Sequence, residues 1–364
     1  MDYTRLGRTG LEVSRICFGC MSFGKPTTNR PWVLGLDDAR PLYRRAWEAG
    51  INFFDTANVY AEGTSEEITG ALIKELAPRD EIVLASKVNR PMRPGPNGKG
   101  NSRKAILGEI DNSLRGLGTD YLDLYQIHRF DEAVPVEETM EALHDVVKAG
   151  KARYIGASSM FAWQFAKLQH AADRNGWTQF VSMQNQVSLS YREEEREMLP
   201  LCRDSGVGVI PWSPLAAGKL TRPWGESGSQ RAQTDLWAKE MYKTQGSKPV
   251  VDALEGVATA KGKPMAQVAM AWLLHKPGIT APIVGVSKMK HLDDAIAALA
   301  VKLDEDEVKS LEAGDVPKFV ELRLSDVGRY HVTQPSMPEQ RAWLRCDPDG
   351  RSVRCAGSAT ACEP

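Results

Sequence analysis

The chain has 364 residues, 42% of them apolar and 26% charged, with a formal net charge of −1. Such a length and apolar content suffice for one large core, and barrel folds of this size often form a single domain. The near-zero charge argues against a nucleic-acid or other polyanion-binding surface, and no run is long and apolar enough to cross a bilayer.

In chain order, the opening MDYTRLGRTG has no apolar segment of the kind a secretory signal needs, so the default location is cytoplasmic. Tyr3 to Leu6, a turn at Gly7 to Gly10, and Leu11 to Ile16 predict a β-hairpin. From there strand and helix alternate. Ile16 to Gly19 is a first strand, with a helix over Leu36 to Ala49 opened by Asp37 and Asp38 and closed by Gly50. Ile51 to Asp55 is followed by a helix from Ser65 to Leu76, Ile82 to Lys87 by Ser102 to Leu117, and Tyr121 to His128 by Val136 to Lys148. Arg153 to Ser158 precedes a helix over Ala162 to Arg174, and Phe180 to Asn185 precedes one over Arg192 to Asp204. Gly208 to Ser213 leads through a long loop to helices from Pro249 and Pro264, and Ala281 to Ser287 is backed by Met289 to Leu299.

Eight such repeats without a composition break predict a (β/α)8 TIM barrel with an N-terminal β-hairpin and long loops on its C-terminal face. The competing open doubly wound sheet lacks its Gly-x-Gly-x-x-Gly turn after any strand. A barrel directs chemistry to the C-terminal strand ends, and the unusual polar residues fall there: Asp55, Lys87 and His128 end strands two, three and four, and Tyr60 lies in the loop after strand two. Singly, each has an ordinary reading: a turn aspartate, a solvated lysine, a satisfied core histidine, a packing tyrosine. Together at neighbouring strand tips they point to one site. An ammonium beside a phenol stabilises phenolate, which Lys87 would do for Tyr60, with Asp55 holding Lys87 and His128 hydrogen-bonded to a substrate oxygen. Such a set protonates a carbonyl oxygen and lacks only a hydride donor. It needs no metal, and Cys17, Cys20 and Cys202 read as core thiols.

These residues resemble the aldo-keto reductases, in particular the branch that includes bacterial members and the potassium-channel β subunits. The resemblance runs from Tyr3 to about Leu303, through GINFFDTANVYAEGTSEEITGALI, ASKV and YLDLYQIH. It implies Tyr60 as general acid/base supported by Asp55, Lys87 and His128, and NADPH/NADP+ as cofactor. It also implies Gly19, Met21 and Asp55 against the cofactor, Ser158, Ser159 and Gln184 on the nicotinamide carboxamide, and Trp212 on its ring. The family commonly has Asn at the position of Ser159. Ser213, Pro214, Leu215, Gly218 and Lys219 correspond to the pyrophosphate loop, and Gly285, Ser287, Lys288, His291 and Asp294 to the 2′-phosphate segment. His291 and Ala295 depart from the Arg or Gln and the Asn often found there, whereas Lys288 favours NADPH over NADH.

For substrate, the candidates at the barrel mouth are Met21, Trp32, Tyr60, His128, Arg129 and Phe130, with Arg90 to Arg93 and the Thr221 to Ser247 loop bearing Trp224, Trp237 and Tyr242. Their aromatic content suggests an aromatic or hydrophobic aldehyde or ketone as small-molecule partner, and the arginines an acidic group on it. The barrel domain is expected over 1–317, with a partly irregular or flexible extension over 318–364 whose Cys346, Cys355 and Cys362 are too widely spaced to form a metal site. The reading is an NADP-dependent reductase of the alcohol dehydrogenase/aldehyde reductase type. Two alternatives stand beside it: an alcohol or sugar dehydrogenase working oxidatively, and a cofactor-sensing regulatory subunit. Oligomeric state and physiological substrate are open.

Overall fold

The computed structural model describes residues 1–27, 30–226, 234–235, 240–242 and 248–314, all within one compact unit. The extension 318–364, its three cysteines and Trp237 lie outside the described residues. Strands β1 (Tyr3–Arg5) and β2 (Glu12–Ser14) pair antiparallel as the expected hairpin. The next eight are β3 (Cys17–Gly19), β4 (Phe53–Asp55), β5 (Val83–Val88), β6 (Leu122–Ile127), β7 (Ala152–Ser158), β8 (Phe180–Gln184), β9 (Gly208–Val209) and β10 (Ile283–Gly285). They form one parallel sheet in the order β10-β3-β4-β5-β6-β7-β8-β9. Its two edges meet: Val209 bridges Ile279 in parallel, the Thr280 N–H donates to the Val209 carbonyl at 2.8 Å, and the Ile283 N–H to the Pro211 carbonyl at 2.7 Å. The sheet is therefore a (β/α)8 barrel, with each parallel crossover made by a helix.

Alternation along the strands sorts the core into two layers. Cys17, Phe53, Val83, Ala85 and Leu124 face inward and pack with Leu6 and Val13 of the hairpin, which plugs the N-terminal end of the barrel. Phe18 and Phe54 face outward, where Phe18 meets the rings of Tyr43 and Phe54 at 4.9 and 5.5 Å beneath the helices. Because Phe53 and Asp55, Val83, Ala85 and Lys87, and Leu124 and Gln126 share parity, the lumen is apolar below and polar above. Cys17, Cys20 and Cys202 are buried free thiols.

Several elements differ from expectation. The helix expected over Arg192 to Asp204 spans Met198–Ser205 after a 3-10 turn at Glu193–Glu195, and the strand expected over Ala281 to Ser287 shortens to Ile283–Gly285. β9 stops at Val209 rather than Ser213, since Pro211 cannot donate to the ladder and Ser213 turns into left-handed backbone at φ 51°. A helix over Glu305–Glu312 also follows the barrel, opened by an Asp304 side chain that accepts from the Asp306 and Glu307 N–H groups.

Glu66, on the helix Thr64–Leu76, is buried against β5 and accepts a 2.5 Å hydrogen bond from the Ser86 hydroxyl. Burial pushes its carboxyl up from 4.5 to about 7. The folded chain thus holds a proton the unfolded chain releases, so this contribution favours folding at low pH and is lost as pH rises through that window. Glu66→Gln is expected to melt like the wild type at pH 5 and at a higher temperature at pH 8. An equal difference in Tm at both pH values would refute this.

Candidate active site

The four residues expected at the strand tips come together. The Lys87 ammonium is fully buried at the end of β5, donates to Asp55 Oδ1 at 2.5 Å and to the Thr56 carbonyl at 2.8 Å, and lies 3.3 Å from the Tyr60 hydroxyl. Burial alone would lower the Lys87 pKa, but the charge of Asp55 and the hydroxyl of Tyr60 outweigh it and raise it, so the lysine is charged. Register explains the pairing: Asp55 lies beside Ala85, so Lys87, two residues along the same face, reaches back over the strand end. Tyr60 reaches the ammonium because its loop doubles back through three left-handed residues, Ala61, Glu62 and Gly63 at φ 46°, 58° and 91°. Non-glycine residues hold such angles only where their surroundings enforce them.

His128 continues the β6 ladder through its N–H to the Val88 carbonyl at 2.8 Å, and its ring meets that of Tyr60 edge-on, 5.8 Å between centroids. Burial, then the charge of Lys87, pushes its pKa well below the usual value, so the imidazole is neutral and carries a single N–H. Its buried Nδ1 has no partner among the described residues.

One participant escaped the sequence analysis. Gln126, fully buried in β6, donates to Asp55 Oδ2 at 3.0 Å, and Gln184 donates to the same oxygen at 2.9 Å and to Gln126 Oε1 at 3.2 Å. With both amide hydrogens of Gln184 committed, only its Oε1 is left to meet a ligand. Gly156 makes room for this arrangement, since a Cβ there would stand 3.1 Å from Gln126 Cγ and 2.3 Å from Ser182 Oγ. The parity of Gln126 with Leu124 was legible as an inward polar residue, but nothing in the sequence pointed it at Asp55.

A profile of the Aldo/keto reductase family matches residues 15–315. The chain belongs to that family. The chain is similar to a versiconal hemiacetal acetate reductase of Aspergillus parasiticus, 44% identical over 341 residues, covering 88% of this chain and 98% of the relative. A Schizosaccharomyces pombe protein with the provisional name aryl-alcohol dehydrogenase is 43% identical over 334 residues, 85% of this chain and 94% of its own. An aldo-keto reductase of Alternaria alternata is 44% identical over 336 residues, 85% and 91% respectively.

Members of this family generally use NAD(P)H, and the rim of this aldo/keto reductase suits one. The Trp212 indole N–H donates to the Ser159 hydroxyl at 2.9 Å, which fixes the ring, and the Ser158 hydroxyl donates to the Gln184 carbonyl at 2.9 Å. Ser159 has φ 48°, a region that asparagine enters more readily than serine, which accounts physically for the residue the family often has there. Ser213, Ala216, Ala217 and Gly218 are all left-handed and curl the chain after Trp212, with Pro214 buried and Leu215 partly so. The helix Met289–Ala297 begins at exposed Lys288 with no side-chain cap, an N-terminus that suits a phosphate. Ser287 is 3.5 Å from His291, whose pKa is lowered by burial and the charge of Lys288. Arg222, which the sequence analysis did not single out, also acts on His291 and donates to the Gly218 carbonyl at 3.0 Å.

Other expected contacts have local partners. Lys219 donates to the Tyr242 carbonyl, and Asp294 accepts from Gln267 at 2.9 Å and Lys290 at 2.7 Å. Gly19 allows β3 to approach Ile283, and Gly285 is exposed at the end of β10. At the mouth, Met21 packs with Trp32, Val33 and Ala61 beside the Tyr60 loop. Phe130 meets Trp163 at 6.2 Å, and Arg93 ties its own loop through the Pro96 and Asn97 carbonyls. Tyr242 is buried and accepts from Gln186 at 3.4 Å, so it belongs to the core rather than to a pocket wall. The described residues contain no helix long and apolar enough to cross a membrane and no cluster of metal-ligating side chains.

Proposed function

We propose that this chain reduces an aldehyde or ketone to the alcohol with NADPH, using Tyr60 as the general acid. The observation that carries the reading is a buried, charged Lys87 that joins Asp55 at 2.5 Å to the Tyr60 hydroxyl at 3.3 Å. A bound nicotinamide supplies the hydride. As negative charge develops on the carbonyl oxygen, Tyr60 gives it a proton, and the Lys87 ammonium stabilises the phenolate left behind. Asp55 keeps Lys87 charged and in place. Neutral His128 donates its N–H to the same oxygen and orients it without competing as an acid. Ser158, Ser159 and Gln184 would hold the carboxamide and Trp212 the ring face. The turn from Ser213 to Lys219 would hold the pyrophosphate, and Ser287, Lys288 and His291 the 2′-phosphate. The same groups run in reverse oxidise an alcohol, a direction that the name of the Schizosaccharomyces pombe relative keeps in view.

The test is NADPH consumption, followed by absorbance, with a panel of aromatic and aliphatic aldehydes, and NADP+ reduction with the matching alcohols. Turnover in either direction is expected; tight NADPH binding without turnover of any carbonyl or alcohol would favour a regulatory subunit instead. The cofactor preference has its own check. Lys288→Ala should raise KM for NADPH roughly 10-fold, the size of one charge-assisted contact, and leave KM for NADH nearly unchanged. Equal changes for the two cofactors would remove Lys288 from the phosphate site.

A further inference from the structure

Arg129 follows His128 on the loop leaving β6, and its backbone is clamped. Buried Asn101 donates to the Arg129 carbonyl at 2.8 Å, and is itself held by Asn89 at 3.1 Å and by the Thr139 hydroxyl at 3.1 Å. Of the two acids on that loop, Asp131 accepts from the Asn101 N–H at 2.8 Å and from the Ala133 N–H at 3.1 Å, and Glu132 is exposed and makes no ion pair with Arg129. The Arg129 guanidinium is partly buried and makes one hydrogen bond among the described residues, to the His128 carbonyl at 2.6 Å. None of those residues brings a carboxylate within ion-pair distance of it. A guanidinium has five N–H donors in a planar fork suited to a carboxylate. Burial and then the like charge of Arg90 push its pKa down to about 10, with Tyr60 acting the other way, so it is charged at neutral pH and within electrostatic reach of Tyr60. A partly buried cation without a counter-charge is costly to keep. The loop commits Asp131 to backbone N–H groups, and Arg129, next to His128, is left without a carboxylate among the described residues.

We propose that Arg129 binds a carboxylate on the substrate, so that the preferred carbonyl compound is an anionic one with its acid group on the Tyr60 and His128 side of the mouth. The proposal rests on the carbonyl-reductase reading and adds the substrate class. It is tested with two acids and their methyl esters, phenylglyoxylate and 4-carboxybenzaldehyde, which place the carboxylate at two distances from the carbonyl. For the better-placed acid, wild-type kcat/KM should exceed that of its ester on the order of 10- to 100-fold. The ratio should collapse towards one in Arg129→Met and be partly restored in Arg129→Lys. Esters as good as both acids in the wild type, or a ratio unmoved by Arg129→Met, would overturn the assignment. Calorimetric binding of the product acids, mandelate and 4-(hydroxymethyl)benzoate, against their esters with NADP+ present gives a readout independent of turnover. If no carbonyl is reduced, the reaction reading fails. Tighter acid binding that is lost in Arg129→Met would still uphold Arg129, and equal binding of acids and esters would refute it.

Discussion

Tyr60→Phe is expected to lower kcat by roughly 10²- to 10⁴-fold, the contribution typical of a positioned general acid, while leaving NADPH affinity and folding close to wild type. The separation follows from what the hydroxyl touches. Its one contact among the described residues is Lys87, at 3.3 Å, and the ring contacts of Tyr60, 4.8 Å from the Lys87 ammonium and 5.8 Å from the His128 ring, survive in phenylalanine. A hydrogen bond from a charged donor contributes about 1.5–3 kcal/mol, and this one, at 3.3 Å, is long and belongs at the low end of that range. NADPH titration by fluorescence, a thermal melt and steady-state kinetics on both proteins check all three parts. A variant that keeps more than about a tenth of wild-type kcat would move the proton donor elsewhere, with a water positioned by His128 as the first place to look.

Lys87→Met should abolish turnover and also weaken the fold, because it leaves Asp55 buried without its counter-charge, with only the Gln126 and Gln184 amides for company. Breaking a buried ion pair from one side costs about 3–5 kcal/mol, a large share of the ~5–15 kcal/mol by which domains are usually stable. The double variant Lys87→Met with Asp55→Leu removes both charges and should recover part of that stability by denaturant titration, with no recovery of activity. The pair separates two meanings of the site: if activity returned along with stability, Lys87 would be a structural residue and Tyr60 would not need its ammonium. If the double variant were no more stable than the single one, the burial of Asp55 would not be the source of the cost.

The order of strands and helices, the apolar lower lumen and the polar strand tips were legible in the sequence because they follow from local periodicity. Residues of one parity share a face, and a carboxylate, ammonium or imidazole ending an apolar strand stands out against it. Element ends were less legible. Pro211 shortened β9 although Ile210 continues the apolar run, and the helix Glu305–Glu312 depended on a cap at Asp304 that lies beyond the barrel pattern. The resemblance named the residues around the cofactor groove, but not what holds them.

Tertiary structure alone decided which polar groups meet. Gln126 and Gln184 are 58 positions apart, and Gln184 and Asp55 are 129 apart, yet all three share one hydrogen-bond network because the register of neighbouring strands brings their ends to one level. The same is true of Arg129. Asp131 stands two residues away in the sequence, and only the docking of the Asn101 loop shows that carboxylate committed to backbone N–H groups. The sequence by itself determined the barrel and the chemical types at its mouth, since these depend on patterns within single strands. Which charge is paired and which is left for a ligand depends on distances between segments far apart in the chain, and those exist only once the barrel has closed.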